Sequence, residues 1–427
     1  MSSLDYTHFI DKSVVPPLTK ALCRMSLEQY PPFLERLLGV WGPLSREPFK
    51  GITSDGTPVE GLSSLTANGA PVEQAARAAD AWLASLAPSE RARAALPLAS
   101  DAWRQWQNTP LILSDALELE ELGESQRQLA LQVVAASLSP RGYERARVIM
   151  ANNQFMGELV QMTDVLNEWR FALSIFGQPS TSEPWGWQLF GHHLAINCFF
   201  IGGQMVLSPV FMGMEPDDHD DQGQRRRLFE PHESRALSLL HSLSGPERAR
   251  ATLYQSMLTA DQPAQRFHPD DGRVRGGAFQ DNRIVPYEGV PVAALGRKQR
   301  LHLLELASLF IDNLPTGPAA ARMQDIERHL NDTWFAWIGK HDDASPFYFR
   351  IHGPVAMIEF DHHSGIFLAN KEPERFHVHS IVRTPNGGDY GADLLGMHYA
   401  RTHPHGPQPH SHDGGKTFHR HGDEEGK

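Results

Sequence analysis

The stretch that most constrains the fold of this chain is the run from Arg375 to Arg383, in which His377 and His379 occupy alternate positions. The run alternates in character and is bounded by turn residues, which predicts a β-strand. Because residues i and i+2 of a strand face the same side, the two imidazoles point together. Such a pair supplies half of a metal site. The alternative is an ordinary pair of histidines bonded to backbone groups.

Composition narrows the class of protein. A chain of 427 residues buries a large core, and its net charge of -12 argues against a general nucleic-acid binder. Cys23 and Cys198 are the only cysteines, which excludes a disulfide framework and a thiolate zinc cluster. The first residues lack a basic segment followed by an apolar run, and no apolar stretch approaches the roughly 20 residues that span a bilayer. We therefore expect a cytoplasmic protein that contacts neither membrane nor nucleic acid, and the sequence leaves its oligomeric state open.

The pattern of apolar residues divides the chain into a helical part and a β-containing part. Apolar residues recur at three- to four-residue spacing over residues 16–175, which predicts helices. Residues 176–400 contain the β-type runs, and we expect both parts to form a single α+β domain over residues 1–400. Residues 401–427 are rich in His, Gly and Pro, so we predict a disordered tail there.

The β-type runs predict the sheet. Two of them flank Gly202 and Gly203, which predicts a hairpin within residues 185–211. Three more candidate strands follow, namely Phe347–His352, Val355–Asp361 and Phe376–Val382. We predict a helical envelope around an antiparallel sheet formed by residues of about 185–211 and 347–383.

Two further groups of residues complete a metal site in this sheet. The strand Val355–Asp361 is a plausible neighbour of the His-x-His strand, which brings Glu359 or Asp361 close to the histidine pair. Gly191-His192-His193 offers a third imidazole. If this segment is a strand, His192 and His193 face opposite sides, so at most one of them joins the site.

Several residues outside these strands are candidates for supporting roles. Asp389 or Asp393 would orient a ligand histidine through its second ring nitrogen, although a helix N-cap is an equal alternative for Asp393. His398 follows on a predicted short helix and is a further candidate ligand. Arg350 or Arg383 would hold an anionic group of the substrate.

Four stretches in order resemble the domain-of-unknown-function 3500 family over about residues 20 to 400. They are Trp185–Asn197, Ser208–Pro216, Tyr348–Pro354 with Ile358–Asp361, and His377–His379 with the Asp389-Tyr-Gly-Ala-Asp393 motif. The stretch Ser137–Tyr143 is also similar to that family. The resemblance implies a shared fold and a shared site, but it implies no reaction.

The resemblance assigns seven candidate site residues to family motifs, and the chain departs from the family in two places. The seven residues are His192, His193, Glu359, His377, His379, Asp393 and His398. Phe376 stands where the family often has Asn, and the link from Thr384 to Asp389 is longer than usual. Many relatives are exported, whereas this chain shows no signal segment.

These patterns together predict a metal-dependent hydrolase of a small organic molecule. His377, His379 and one of His192 or His193 would bind a divalent ion, and zinc is favoured. Glu359 would be the fourth ligand or the general base for a metal-activated water. One alternative is an iron- or copper-dependent oxidoreductase on the same site. The other is a non-catalytic protein that binds a small molecule or a metal.

Overall fold

The computed structural model describes residues 6–11, 17–24, 30–113, 115–221, 224–268 and 271–402. The helices are α1 Glu35–Ser45, α2 Val72–Ser85, α3 Pro88–Ala94, α4 Glu124–Ser137, α5 Pro140–Val160, α6 Glu230–Ser242, α7 Gly245–Ala251, α8 Arg297–Ile311, α9 Thr316–Arg328 and α10 Ala392–Thr402. The strands are β1 Ala95–Leu96, β2 Phe171–Phe176, β3 Trp185–Gly191, β4 Leu194–Ile201, β5 Gln204–Met214, β6 His219–Asp221, β7 Gln224–Arg226, β8 Thr252–Tyr254, β9 Val290–Pro291, β10 Trp334–Gly339, β11 Phe347–His352, β12 Met357–His362 and β13 Val378–Arg383. Of the predicted disordered tail, residues 401 and 402 belong to α10, and residues 403–427 lie outside the described residues.

Eleven of these strands form one sheet, which confirms the α+β class. The strand order is β1-β2-β3-β4-β5-β13-β12-β11-β10-β8, and β9 pairs with β10. The β4–β5 hairpin turns at Gly202 and Gly203 as predicted, with Ile201 opposite Gln204. The β5–β13 pair joins the two predicted β segments into a single sheet. The sheet is mixed rather than antiparallel throughout, because β1 runs parallel to β2 and β8 runs parallel to β10.

The two faces of the sheet differ in chemistry because polar and apolar residues alternate along its central strands. On β11, Phe347, Phe349 and Ile351 pack in the large apolar core, together with residues of α2, α4, α5, α6 and α8. Tyr348 and Arg350 lie on the opposite face. On β12 and β13, that opposite face carries Glu359, Asp361, His379 and Arg383.

The predicted helical envelope therefore covers mainly one face of the sheet. The polar face is covered largely by irregular segments and α1, which contribute Trp41, Trp106 and Phe279 to a second core with sheet residues such as Phe211 and Ile381. Irregular segments suit this role because they offer unpaired backbone N–H groups to buried carboxylates, whereas the interior of a helix has none to spare.

Residues 171–175 of the predicted helical part belong to β2. This strand is entirely buried, so its apolar residues do not alternate with polar ones and carry no clear strand signal. No helix in the described ranges is both long and apolar enough to cross a membrane.

Candidate metal centre

His192 and His193 form the two-residue turn between β3 and β4, so the prediction that they lie on one strand is wrong. Gly191 pairs with Leu194 across this turn, and His193 has a φ of 62°. Since both residues lie in the turn, their rings are not forced to opposite faces; they stack with centroids 3.9 Å apart. The backbone of His193 is held on both sides: its N–H donates to Asn108 O at 3.0 Å, and its carbonyl accepts from Gly213 N at 2.8 Å.

The turn brings His193 to the histidine pair at the start of β13, where His377 directly precedes the strand and His379 lies in it. The Nε2 atoms of His193 and His377 are 3.2 Å apart, and those of His377 and His379 are 3.1 Å apart. All three imidazoles are buried, and each offers a ring nitrogen within 4.8 Å of the others. The predicted same-side placement of His377 and His379 is therefore confirmed. We call these three residues the histidine triad.

The spacing of the triad fits a metal ion better than it fits hydrogen bonds. A ring nitrogen carries either one hydrogen or one lone pair, so His377 Nε2 cannot make a linear hydrogen bond to both neighbours. Three imidazole nitrogens around a tetrahedral zinc ion stand about 3.3 Å apart, because zinc–nitrogen bonds are about 2.0–2.1 Å long. The two observed separations are close to this value. A cation that accepts one lone pair from each nitrogen satisfies all three.

Burial keeps the triad in the neutral form that ligates metals. Desolvation lowers the pKa of His193, His377 and His379 well below the usual value, and the neighbouring histidines lower it further. Desolvation also lowers the pKa of His192 to about 3. His192 donates from Nδ1 to Asn153 Oδ1 at 2.9 Å. The ring of His193 thus belongs to the triad, while the ring of His192 packs beside it.

The triad lies at one wall of a cavity of about 190 Å³. One carboxyl group also lines this cavity, that of Glu215, whose Oε1 is 3.5 Å from His377 Nδ1. Glu215 accepts a hydrogen bond from Leu368 N at 3.3 Å. Burial raises the pKa of Glu215 to about 8, against the opposing effect of backbone hydrogen bonds. Glu215 belongs to Ser208–Pro216, one of the stretches that resemble the family, but the residue pattern of this stretch assigned Glu215 no role.

His363 is a second neighbour of the triad that the sequence analysis missed. Its ring stacks on His379 with centroids 4.4 Å apart and lies 4.9 Å from the ring of His377. Its Nδ1 is 2.5 Å from Ser364 O. The alternation Glu359, Asp361, His363 contains the signal that could have found it, because residues two apart extend one face of the strand.

On the neighbouring strand β12, the carboxylate that lies nearest the histidine pair is that of Asp361, not that of Glu359. Asp361 lies directly opposite His379, whereas Glu359 lies opposite Ile381. Asp361 accepts from Arg273 N at 3.0 Å, and burial raises its pKa to about 6 despite the opposing effect of Arg273. Neither carboxylate lines the cavity.

Both oxygens of the Glu359 carboxylate accept hydrogen bonds from two backbone N–H groups and one hydroxyl group. It accepts from Arg275 N at 2.9 and 3.0 Å, from Gly276 N at 2.8 Å and from the Tyr348 hydroxyl at 2.6 Å. A carboxylate committed to these donors and placed away from the cavity does not fit the predicted role of fourth ligand or general base. Glu359 instead ties the irregular segment that covers the polar face to the sheet.

The two arginines predicted to hold a substrate anion are committed elsewhere. Arg350 is buried and pairs with Glu288 at 2.7 Å. Arg383 is fully buried between Asp281 at 2.6 Å and Asp389 at 3.0 Å. Neither side chain lines the cavity, so the predicted anion-binding role does not fit their placement.

The remaining predicted residues lie on the C-terminal elements, outside the cavity lining. Asp389 accepts from Ser208 Oγ at 2.6 Å and from Thr384 N at 2.7 Å. Asp393 is the second residue of α10 and accepts from Leu394 N at 2.7 Å, so it lies in the first turn of the helix and not at its N-cap position. His398 lies further along α10, and it does not belong to the group of three described side chains whose ligand atoms lie close enough to share a metal ion.

Comparison with known proteins identifies the family of this chain but assigns it no reaction. No curated protein and no solved structure matches the chain. A family model described as "Protein of unknown function (DUF3500)" matches residues 68–392, which include every residue of the triad, Glu215 and His363. Because this match covers most of the chain and carries the site, the chain belongs to the DUF3500 family.

Proposed function

We propose that this chain is a metal-dependent hydrolase of a small organic molecule, with a divalent ion held by His193, His377 and His379. The observation that carries the proposal is the convergence of three buried Nε2 atoms at the wall of a cavity. Three protein nitrogens leave a position open toward the cavity, which is the arrangement of catalytic zinc sites. The triad contains no carboxylate, and this favours zinc over an iron site of the two-histidine, one-carboxylate type.

Each side chain of the site has a distinct task in this proposal. The triad supplies the lone pairs, and the turn conformation of His193 aims its ring at the other two. Glu215 would accept a hydrogen bond from His377 Nδ1 and so fix the tautomer in which Nε2 is the ligand. The ion would supply Lewis acidity, which activates water near neutral pH and polarises a substrate carbonyl.

Hydrolysis that depends on the metal and on the triad tests this function. Protein treated with a chelator should lose hydrolysis of a panel of small uncharged esters, lactones and amides, followed by proton release at constant pH. Added Zn²⁺ should restore it. The His193→Ala variant should stay inactive with Zn²⁺, whereas His398→Ala, outside the cavity, should keep the parent activity.

Two results would contradict the proposal. Activity that survives chelation or the loss of His193 would remove the metal from the reaction. Metal-loaded protein that hydrolyses nothing in the panel, but consumes dioxygen with an organic substrate, would favour the oxidoreductase alternative.

A further inference from the structure

The cavity beside the triad is apolar on the walls that the histidines leave free. Four separate segments supply these walls: the segment that contains Leu18, the start of α1 with the residues before it, the segment around Leu111, and the loop between β12 and β13. The apolar lining includes Phe33, Leu34, Leu37, Leu111, Ile366 and Phe367. Apolar walls with a few convergent polar groups are typical of sites that recognise small molecules.

The described side chains that line the cavity offer no cation to an anionic ligand, so a positive charge in the site would come from an ion bound at the triad. Among the described residues, no lysine or arginine lines it, and its polar groups outside the histidines are Asn108, Thr109 and Glu215. Arg350 and Arg383, the arginines expected to hold an anion, are buried in ion pairs elsewhere. Moving a carboxylate from water into such a site without a partner costs free energy that the apolar contacts must offset.

The size of the cavity limits the ligand. Its volume of about 190 Å³ is somewhat larger than an engineered protein cavity of about 150 Å³ that binds benzene. One ring with a short substituent therefore fills it. Phe33 lines the cavity and is 46% exposed, so a ligand can reach the cavity past this ring and bury part of it.

We infer that the site takes a mainly apolar molecule of about one ring in size, whose single polar group lies toward the triad and whose remaining part carries no charge. This inference rests on the proposed function, since it names the class of substrate for the same site. The apolar part would lie against Leu37, Leu111 and Phe367. Asn108 or Thr109 would be within the cavity to hydrogen-bond the polar group.

Binding of three benzene derivatives that differ in charge tests the inference. Benzyl alcohol, benzoate and benzylamine are titrated into the full-length protein by calorimetry, both as purified and after chelation. After chelation, when no ion at the triad can pair with a carboxylate, benzyl alcohol should bind at least about tenfold more tightly than either charged probe, because an unpaired charge in an apolar site costs more than about 1.4 kcal/mol. Equal or tighter binding of benzoate or benzylamine by the chelated protein would overturn the inference.

Two variants locate the binding site. Leu37→Trp adds bulk to the cavity wall and should weaken benzyl alcohol binding at least about tenfold. Leu301→Trp makes the same change at a residue that is 55% exposed on α8 and outside the cavity lining, so it should leave binding unchanged. If Leu37→Trp fails to fold, Ile366→Trp makes the test from another segment. Unchanged binding in a folded cavity variant would overturn the inference.

The metal content of the same samples separates this inference from the proposed function. Samples that bind benzyl alcohol in the cavity but hold no metal would contradict the hydrolase proposal and leave the preference for an apolar ligand standing. Samples that hold metal as purified but, after chelation, do not prefer benzyl alcohol would contradict the inference and leave the metal site standing.

Discussion

His193 reaches the triad through a backbone conformation that few non-glycine residues adopt. Its φ of 62° lies in the left-handed region, which costs a histidine roughly 1 kcal/mol. Two backbone hydrogen bonds, to Asn108 and from Gly213, hold the residue in place. A strained residue kept in position by its surroundings, with its ring in a cluster of ligand-type atoms, is typical of functional sites.

At the residue scale, the same Glu→Gln substitution should have opposite effects on metal affinity at Glu215 and at Glu359. Glu215→Gln replaces the carboxyl group beside His377 Nδ1 by an amide, so we expect metal affinity to fall about 10- to 100-fold, measured by competition with a chromogenic chelator. Glu359→Gln makes the same change outside the cavity lining and should leave metal affinity unchanged.

The Glu359 variant should instead lose stability. An amide accepts hydrogen bonds from Arg275 N and Gly276 N less strongly than a carboxylate does, and those bonds are buried. A larger loss of metal affinity in Glu359→Gln than in Glu215→Gln would restore Glu359 to the site and contradict our assignment.

At the scale of elements, three central strands present the polar face that carries the site. The sequence allowed the facing of these residues to be predicted, because His377 and His379, like Glu359 and Asp361, are two apart. It did not allow the register to be predicted, since a shift of two residues keeps the same face toward the core. The sequence left Glu359 and Asp361 as alternatives, and in the structure it is Asp361 that lies opposite His379.

The turn at His192 and His193 was missed because it lacks the Gly or Asn that marks most tight hairpins.

Substitution of Gly213 in β5 tests whether close packing between strands positions the triad. A Cβ added there would lie 2.7 Å from Val378 O, 3.2 Å from His193 Cδ2 and 3.3 Å from His379 Cδ2. We therefore expect Gly213→Ala to displace the two imidazoles, to weaken metal binding by about tenfold or more, and to lower the free energy of unfolding by about 1–3 kcal/mol.

Gly245→Ala is the matched control for this change. A Cβ at Gly245, the first residue of α7, meets no heavy atom within 4 Å, so metal titration and thermal unfolding should both match the parent. If Gly213→Ala binds metal as tightly as the parent, close packing at Gly213 does not position the triad.

At the scale of the whole molecule, one strand pair assembles the site from distant parts of the sequence. The β5–β13 ladder places Gly213 opposite His379 and so joins the hairpins near residue 200 to the strands near residue 380. The two β segments could be predicted from local patterns, but their adjacency could not, because no local pattern encodes which distant strands pair. Glu215 was missed for the same reason: its contact with His377 exists only after β5 and β13 have paired.

The most direct test of our central claim is the metal content of the protein. Elemental analysis is done on a chain ending at Thr402, so that metal held by the histidine-rich sequence beyond it would not be counted with the triad. We predict about one divalent ion per chain in this protein and in His398→Ala, and almost none when His377 and His379 are both replaced by Ala. A parent protein without stoichiometric metal, or a double variant that keeps its metal, would contradict the claim that the triad is a metal centre.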